Sequence, residues 1–200
     1  MIKITVGIPV HNQEELVIRA LESIPKKENI EIIVIDDGSE DGTWDKLIEY
    51  RIKYPELVLL YNETNKGVAY TVNRIYDNAQ GEYITLLGSD DYFYTDNFEE
   101  CIKQLDGTDL IYYDIQTNNG NIWKVNEKSK RKICGSVKFM RKDFIGKTRC
   151  PEDKVVAEDK VFYQKILRKK PTEKFTHICV KHYNYPREGS LTNLYEKELI

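Results

Sequence analysis

The chain has 200 residues, 40% of them hydrophobic and 32% charged, with a formal net charge of −3. That size suits one domain with a substantial core, and that composition excludes a disordered chain. The slight acidity argues against a nucleic-acid partner, and no apolar run approaches the roughly 18–20 residues that cross a bilayer.

The opening "MIKITVGIPVHN" has no charged segment followed by a long apolar stretch and a small-residue cleavage site. It therefore reads as a first strand, residues 2–10, rather than a leader peptide. Residues 14–24 carry Leu16, Ile18, Ala20, Leu21 and Ile24 at helical spacing and stop at Pro25. "IEIIVIDDGS" is an almost unbroken apolar strand, the pattern of a strand covered on both faces. Asp41 or Thr43 caps the next helix, which carries Trp44, Leu47, Ile48 and Ile52 and ends before Pro55. A third strand follows at 58–61, a third helix at 68–79 and, after Gly81, a fourth strand at 83–87.

Beyond this point the pattern is less regular. Residues 109–115 and 122–125 read as strands joined by a turn at 118–121. "KVNEKSKRK" then places five Lys/Arg among nine residues, either a solvated loop or a lid over diphosphate. "AEDKVFYQKILRKK" reads as a helix with Glu158 and Asp159 at its positive end. Residues 175–182 form a last strand. Cys101, Cys134, Cys150 and Cys179 are scattered without a CxxC pair, which points to free thiols in a reducing cytoplasm and not to a zinc site.

Strands alternating with helices predict an open α/β sheet with ligands bound outside the carboxyl ends of its strands. Three such ends carry polar clusters: "PVHN", "DDGSEDGT" and "GSDD". In the second, Gly38 and Gly42 permit a tight turn, Ser39 or Asp41 caps a helix, and Asp36 or Asp37 can accept a nucleobase N–H. In the third, Asp90 and Asp91 supply the one or two carboxylates by which Mg²⁺ or Mn²⁺ is held together with substrate phosphates; the competing reading is a solvated turn. The acids of "AEDKVF" serve either the helix dipole or, at Asp159, proton removal from an attacking hydroxyl. The absence of GxGxxG after the first strand argues against a dinucleotide-binding oxidoreductase. A nucleotidyltransferase would need an early glycine-rich basic phosphate loop that is missing.

Taken in order, "PVHN", "VIDDGSEDGT", "NKGVAYTVN", "GEYITLLGSDD", "AEDKVF" and "YNYPREGSLT" resemble the family 2 glycosyltransferases, inverting enzymes of the GT-A fold, over about residues 4–192. The resemblance implies an α/β fold of nucleotide-diphospho-sugar transferase type, with a mostly parallel central sheet flanked by helices. It implies one domain over 1–200, with a nucleotide-binding half to about 105 and an acceptor and catalytic-base half from about 106. Pro9, His11 and Asn12 would line the nucleotide pocket, with Gly38 allowing close approach and Asp37 on the base. Asn65, Gly67 and Asn73 would border the nucleotide-sugar, and Ser89 belongs to the same site. Asp90 and Asp91 would bind Mn²⁺ or Mg²⁺, with Asp91 the direct ligand. Asp159 would be the catalytic base, and Arg187 and Ser190 would help hold the diphosphate.

The implied reaction moves a sugar from a nucleotide-diphosphate sugar, expected to be UDP-linked, to a hydroxyl of a glycan, lipid-linked or protein acceptor. Two positions depart from the family pattern: Gly88 stands where an aspartate is usual, and "TVN" places Val72 where an arginine is usual. The chain is also short, which implies that the anchoring helices or acceptor domain of larger relatives are missing. Gly88 and that shortness motivate an alternative, a noncatalytic nucleotide-binding or assembly module on the same fold.

Overall fold

The computed structural model describes residues 2–130, 136–153 and 158–187. Along the chain run β1 (Ile4–Val10), α1 (Val17–Glu22), β2 (Ile30–Asp36), α2 (Thr43–Lys53), β3 (Val58–Tyr61), α3 (Val68–Asn78) and β4 (Tyr83–Leu86). There follow β5 (Tyr92–Phe93), α4 (Thr95–Ile102), β6 (Leu110–Thr117), β7 (Ile122–Trp123), β8 (Lys138–Arg141), α5 (Lys142–Ile145), α6 (Glu158–Arg168) and β9 (Glu173–Tyr183).

Among the described residues all nine strands join one sheet, ordered β3-β2-β1-β4-β8-β6-β9-β5, with β7 on the edge of β6. The first four strands in that order are mutually parallel. β8 runs antiparallel between β4 and β6, β9 lies parallel to β6, and β5 is antiparallel to β9. The chain is therefore an α/β protein with a mostly parallel sheet through its first half. β1 and β2 are buried almost throughout, as their unbroken apolar runs require. Helix α3 packs on them, and its Ala69, Val72, Ile75 and Tyr76 are buried. Val72, at the position where the family usually has arginine, is part of this core.

Several elements differ from the sequence reading. Helix α1 starts at Val17 because the residues before it are held elsewhere. The Gln13 N–H donates to Thr43 Oγ1 at 2.8 Å, and the Glu14 N–H to Asp41 Oδ2 at 3.3 Å. Those contacts draw 13–16 into a turn. The N-cap of α2 is Gly42, not Asp41 or Thr43, and has no side chain to cap with; Asp41, one residue earlier, accepts from the Thr43 N–H at 3.0 Å. Strands β5 and β8 and helix α4 were not evident in the sequence; β5 has two residues, and β8 reads "KFMR", too short and too basic to show a strand pattern.

In the basic stretch Lys124 and Lys128 are exposed, as expected of a solvated loop, and Lys130 departs from it. Lys130 is buried and ion-paired with Glu127 at 2.8 Å and Glu173 at 2.5 Å. Glu173 starts β9, whose other end lies about 30 Å further along the sheet. Lys130 is thus an anchor and not part of a lid; residues 131–132 lie outside the described residues.

Candidate functional site

The carboxyl ends of β2, β1 and β4 lie side by side, so their following loops share one rim of the sheet. The loops after β1 and β2 form a single hydrogen-bonded unit. His11 Nδ1 lies 3.0 Å from the Asp37 carbonyl oxygen, the Asn12 N–H donates to Ser39 Oγ at 2.9 Å, and the Glu40 N–H donates to Asn12 Oδ1 at 2.9 Å. Asn12 adopts a positive φ of 50° to make this turn. Gly38, at φ +67°, lies so close to the next loop that a Cβ there would come within 2.6 Å of the Asn65 backbone nitrogen. Pro9 sits just inside, paired in register with Ile35.

Asp37 is buried and faces inward. Its Oδ1 accepts from Asn62 Nδ2 at 2.7 Å and from the Lys66 N–H at 2.9 Å, and its Oδ2 accepts from the Gly67 N–H at 2.8 Å. Gly67 N–H also donates to Asn65 Oδ1 at 2.9 Å. A carboxylate offers about four lone-pair sites, so these three bonds leave Asp37 room for one further N–H. Its neighbour Asp36 is fully buried; Oδ1 accepts from the Ser39 N–H at 2.9 Å, while Oδ2 has no hydrogen-bond partner. Burial pushes the Asp36 carboxyl above the usual carboxylate range, against the pull of its bonds to Ser39.

After β4 the chain turns through Gly88, Ser89, Asp90 and Asp91, closed by Asp91 N–H to the Gly88 carbonyl at 3.0 Å. Ser89 is buried at this turn. The two carboxylates then part company. Asp91 is buried, its Oδ2 accepting from Lys181 Nζ at 3.0 Å and its Oδ1 from the Asn184 N–H at 2.9 Å. Lys181 is itself buried and also donates to Ser136 Oγ at 2.6 Å. Asp90 is more open, and its Oδ2 accepts from Arg187 Nε at 2.9 Å. Burial first, then the Asp91 carboxylate, pushes Asp90 up, and Arg187 opposes them. Arg19 of α1 donates to the Asp90 carbonyl at 2.6 Å and lies over the Tyr92 ring.

The expectation that Asp91 is the direct metal ligand meets a buried lysine at that carboxylate. An ammonium already sits against it in a buried pair, and a divalent cation there would have to overcome that charge. Asp90 fits a hard cation better. Its partner Arg187 is partly exposed and can move aside, and one carboxylate is sufficient where phosphates complete the coordination. Among the described residues no group of three or more His, Cys, Asp or Glu gathers as a metal cluster. Ser190 lies outside the described residues.

Asn73 was expected to border the nucleotide-sugar. It is buried, with Nδ2 donating to the Cys150 carbonyl at 3.0 Å and to Glu152 Oε1 at 2.8 Å, while Oδ1 accepts from the Cys150 N–H at 2.8 Å. It thereby fastens the 150–152 segment to α3. Helix α6 is held to the same helix by Phe162 stacking on Tyr76, with centroids 5.2 Å apart. Asp159, one turn earlier on α6, is partly exposed and accepts from the Lys160 N–H at 2.6 Å. Burial pushes the nearby Cys150 thiol up to about 12, which removes it as a nucleophile.

Residues 5–176 match the model of the family described as glycosyl transferase family 2. The chain belongs to glycosyltransferase family 2. This family 2 chain is 36% identical over 134 residues to an uncharacterized glycosyltransferase of Rickettsia conorii, a match over 64% of this chain and 20% of that protein. It is 39% identical over 95 residues to a poly(ribitol-phosphate) beta-glucosyltransferase of Bacillus spizizenii, covering 45% of this chain and 15% of the relative. It thus spans a fifth or less of the length of these relatives.

In fold it is similar to S. aureus TarS 1-349 in complex with UDP-GlcNAc, with a TM-score of 0.82 at 22% identity over 94% of this chain and 60% of that one. It is also similar to the mannosyltransferase PcManGT of Pyrobaculum calidifontis in complex with GDP-Man and Mn²⁺, with a TM-score of 0.73 at 18% identity over 94% and 58%. The fold of the family 2 chain is GT-A.

Four contributors were missed in the sequence: Arg19, Asn62, Lys181 and Asn184. Lys181 alone left a trace, as a lysine directly after the apolar "ICV" within a strand. The others lie in ordinary surroundings and acquire their roles through contacts between elements.

Proposed function

We propose that the chain is an inverting glycosyltransferase acting on a nucleotide-diphosphate sugar, with a uridine nucleotide as the donor base and a hydroxyl as the acceptor. The single observation that carries this reading is the shared rim. A buried carboxylate with one acceptor site left, Asp37, follows one strand, and an accessible carboxylate paired with an arginine, Asp90 with Arg187, follows another two places along the sheet. That spacing suits a base at one end and a diphosphate at the other. TarS with UDP-GlcNAc and PcManGT with GDP-Man and Mn²⁺ supply the analogy for donor and ion.

In this reading His11, Asn12 and Gly38 shape the base pocket, Asp37 accepts a base N–H, and Asn65 and Gly67 border the ribose side. Asp90 would hold Mn²⁺ or Mg²⁺ together with the donor's phosphates; when bound, the ion neutralises charge on the departing diphosphate. Arg187 exchanges its bond to Asp90 for the diphosphate. Asp159 takes the proton of the acceptor hydroxyl as that oxygen attacks the anomeric carbon. The bond from that carbon to the diphosphate oxygen breaks, and its electron pair leaves with the diphosphate, inverting the centre. Asn73 contributes by positioning the segment that leads to α6. A cytoplasmic setting belongs to the same proposal and is supported by free thiols at Cys101, Cys150 and Cys179.

The test is sugar transfer or donor hydrolysis by the purified protein across a panel of nucleotide-diphosphate sugars with Mn²⁺. Asp159→Asn should lower turnover by about 10²–10⁴-fold with donor affinity retained, whereas Asp90→Ala should weaken donor and ion together. If both variants match the wild type, the assigned roles are wrong. Gly88, in place of the usual aspartate, favours a second reading, a binding module. It would hold nucleotide without consuming any sugar donor.

A further inference from the structure

The two adjacent carboxylates after β4 are matched by two cations from the far end of the chain, and the two pairs differ in kind. Arg187 and Asp90 are both partly exposed, with side chains 29% and 22% accessible, whereas Lys181 and Asp91 are 2% and 4% accessible. Lys181 lies on β9, in register with Phe93 on one side and Ile115 on the other. A lysine there has lost nearly all its water, and only a charged partner offsets that loss. The ammonium donates to Asp91 and Ser136 with the Tyr183 ring 5.5 Å away, and the Asn184 N–H holds the other oxygen of Asp91.

We propose that Lys181 is a resident counter-cation: it neutralises Asp91, keeps divalent ions off it, and so confines the cation site to Asp90. Lys181 is therefore a positioning and specificity-determining residue. It acts through Asp91 and touches neither donor nor acceptor. The physical basis is the distance: a fixed positive charge 3.0 Å from one carboxylate oxygen, with little water to screen it, opposes any second cation approaching that group. Removing the ammonium leaves a buried carboxylate unpaired, which is destabilising until another cation arrives. A divalent ion is then the natural replacement, with Asp90 one residue away to share it. The inference rests on the donor-site reading for the place of Asp90, but its test uses Mn²⁺ alone.

Mn²⁺ is titrated calorimetrically into the wild type, Lys181→Met, Lys181→Arg and the double variant Lys181→Met with Asp91→Asn, and each is melted in EDTA and in excess Mn²⁺. Lys181→Met should melt about 10 °C below the wild type in EDTA and recover most of that loss in Mn²⁺. Its Mn²⁺ dissociation constant should be at least tenfold lower than that of the wild type. Lys181→Arg should bind Mn²⁺ like the wild type, and the double variant should return both melting temperature and affinity toward it. A Lys181→Met protein that is destabilised yet binds Mn²⁺ no tighter than the wild type overturns the proposal, because a purely structural lysine would behave that way. If Lys181→Met does not fold in EDTA, the double variant decides: a near-normal melting temperature supports the charge argument, and a failed fold overturns it. A wild type that binds no Mn²⁺ counts against the metal part of the donor reading. Acquired binding in Lys181→Met would still support the role of Lys181, and its absence would refute it.

Discussion

Asp37 spends three of a carboxylate's roughly four acceptor sites inside the protein. Replacing it with asparagine turns one oxygen into an NH₂ group that must face either the Gly67 N–H or the pair of donors from Asn62 and Lys66. Two donors then compete at a buried site, at a cost of about 2–3 kcal/mol. Asp37→Asn should therefore lower the melting temperature by about 5–10 °C and abolish uridine binding, as read by thermal denaturation and calorimetry. An unchanged melting temperature would show that these bonds are replaceable. Gly88 is a second instructive residue. A Cβ there would lie 2.9 Å from Asp91 Oδ2 and 3.0 Å from Asp90 Oδ1. The absence of the usual aspartate thus goes with carboxylates folded in over the vacant space. Gly88→Ala should cost about 1–3 kcal/mol through overpacking, and denaturant unfolding measures it.

The second half of the sheet is held by polar pins as well as by its core. Asp109, beside the start of β6, accepts from the Thr172 N–H at 2.9 Å, from Thr172 Oγ1 at 2.8 Å and from Arg141 Nη2 at 2.5 Å, tying β6 to β8 and to the approach of β9. Burial alone would raise its carboxyl, but the bonds from Thr172 and Arg141 outweigh burial and hold it below the usual range. A carboxylate with a folded value below its unfolded one stabilises the fold above the unfolded pKa of about 4, and loses that contribution as pH falls through the folded value. Asp109→Asn should accordingly cost about 2 kcal/mol near neutral pH, and the gap should close below about pH 4. Melting curves from pH 7 to 3 check this; a constant gap would mean that charge at Asp109 contributes nothing. The pins explain why so short a strand as β8 persists between β4 and β6.

Taken as a molecule, the chain uses its last described residues to complete a rim begun by its first. Arg187 reaches Asp90 and Asn184 reaches Asp91 from beyond β9, while Arg19 approaches from α1. Donor binding should therefore stabilise the whole fold. UDP at about a hundred times its dissociation constant should add about 2.7 kcal/mol, or about 5–10 °C in melting temperature. Under the proposed donor site, in which the guanidinium holds the diphosphate and not the base, Arg187→Ala should weaken UDP at least tenfold while leaving uridine unchanged. Equal losses for both ligands would place Arg187 elsewhere in the site. Nucleotide titrations of the two proteins make the comparison.

Much of this protein was determined by local pattern. The apolar run of β2, the helical spacing of α3 and the polar clusters after β1, β2 and β4 are written in neighbouring residues, because backbone periodicity and turn chemistry act over a few positions. They were enough to place a ligand rim and to suggest its family. Which of Asp90 and Asp91 stays partly exposed, and which is buried against an ammonium, was decided only by tertiary structure. The deciding charge, Lys181, lies 90 positions from Asp91 in the chain, and electrostatic pairing depends on distance in space, not along the sequence.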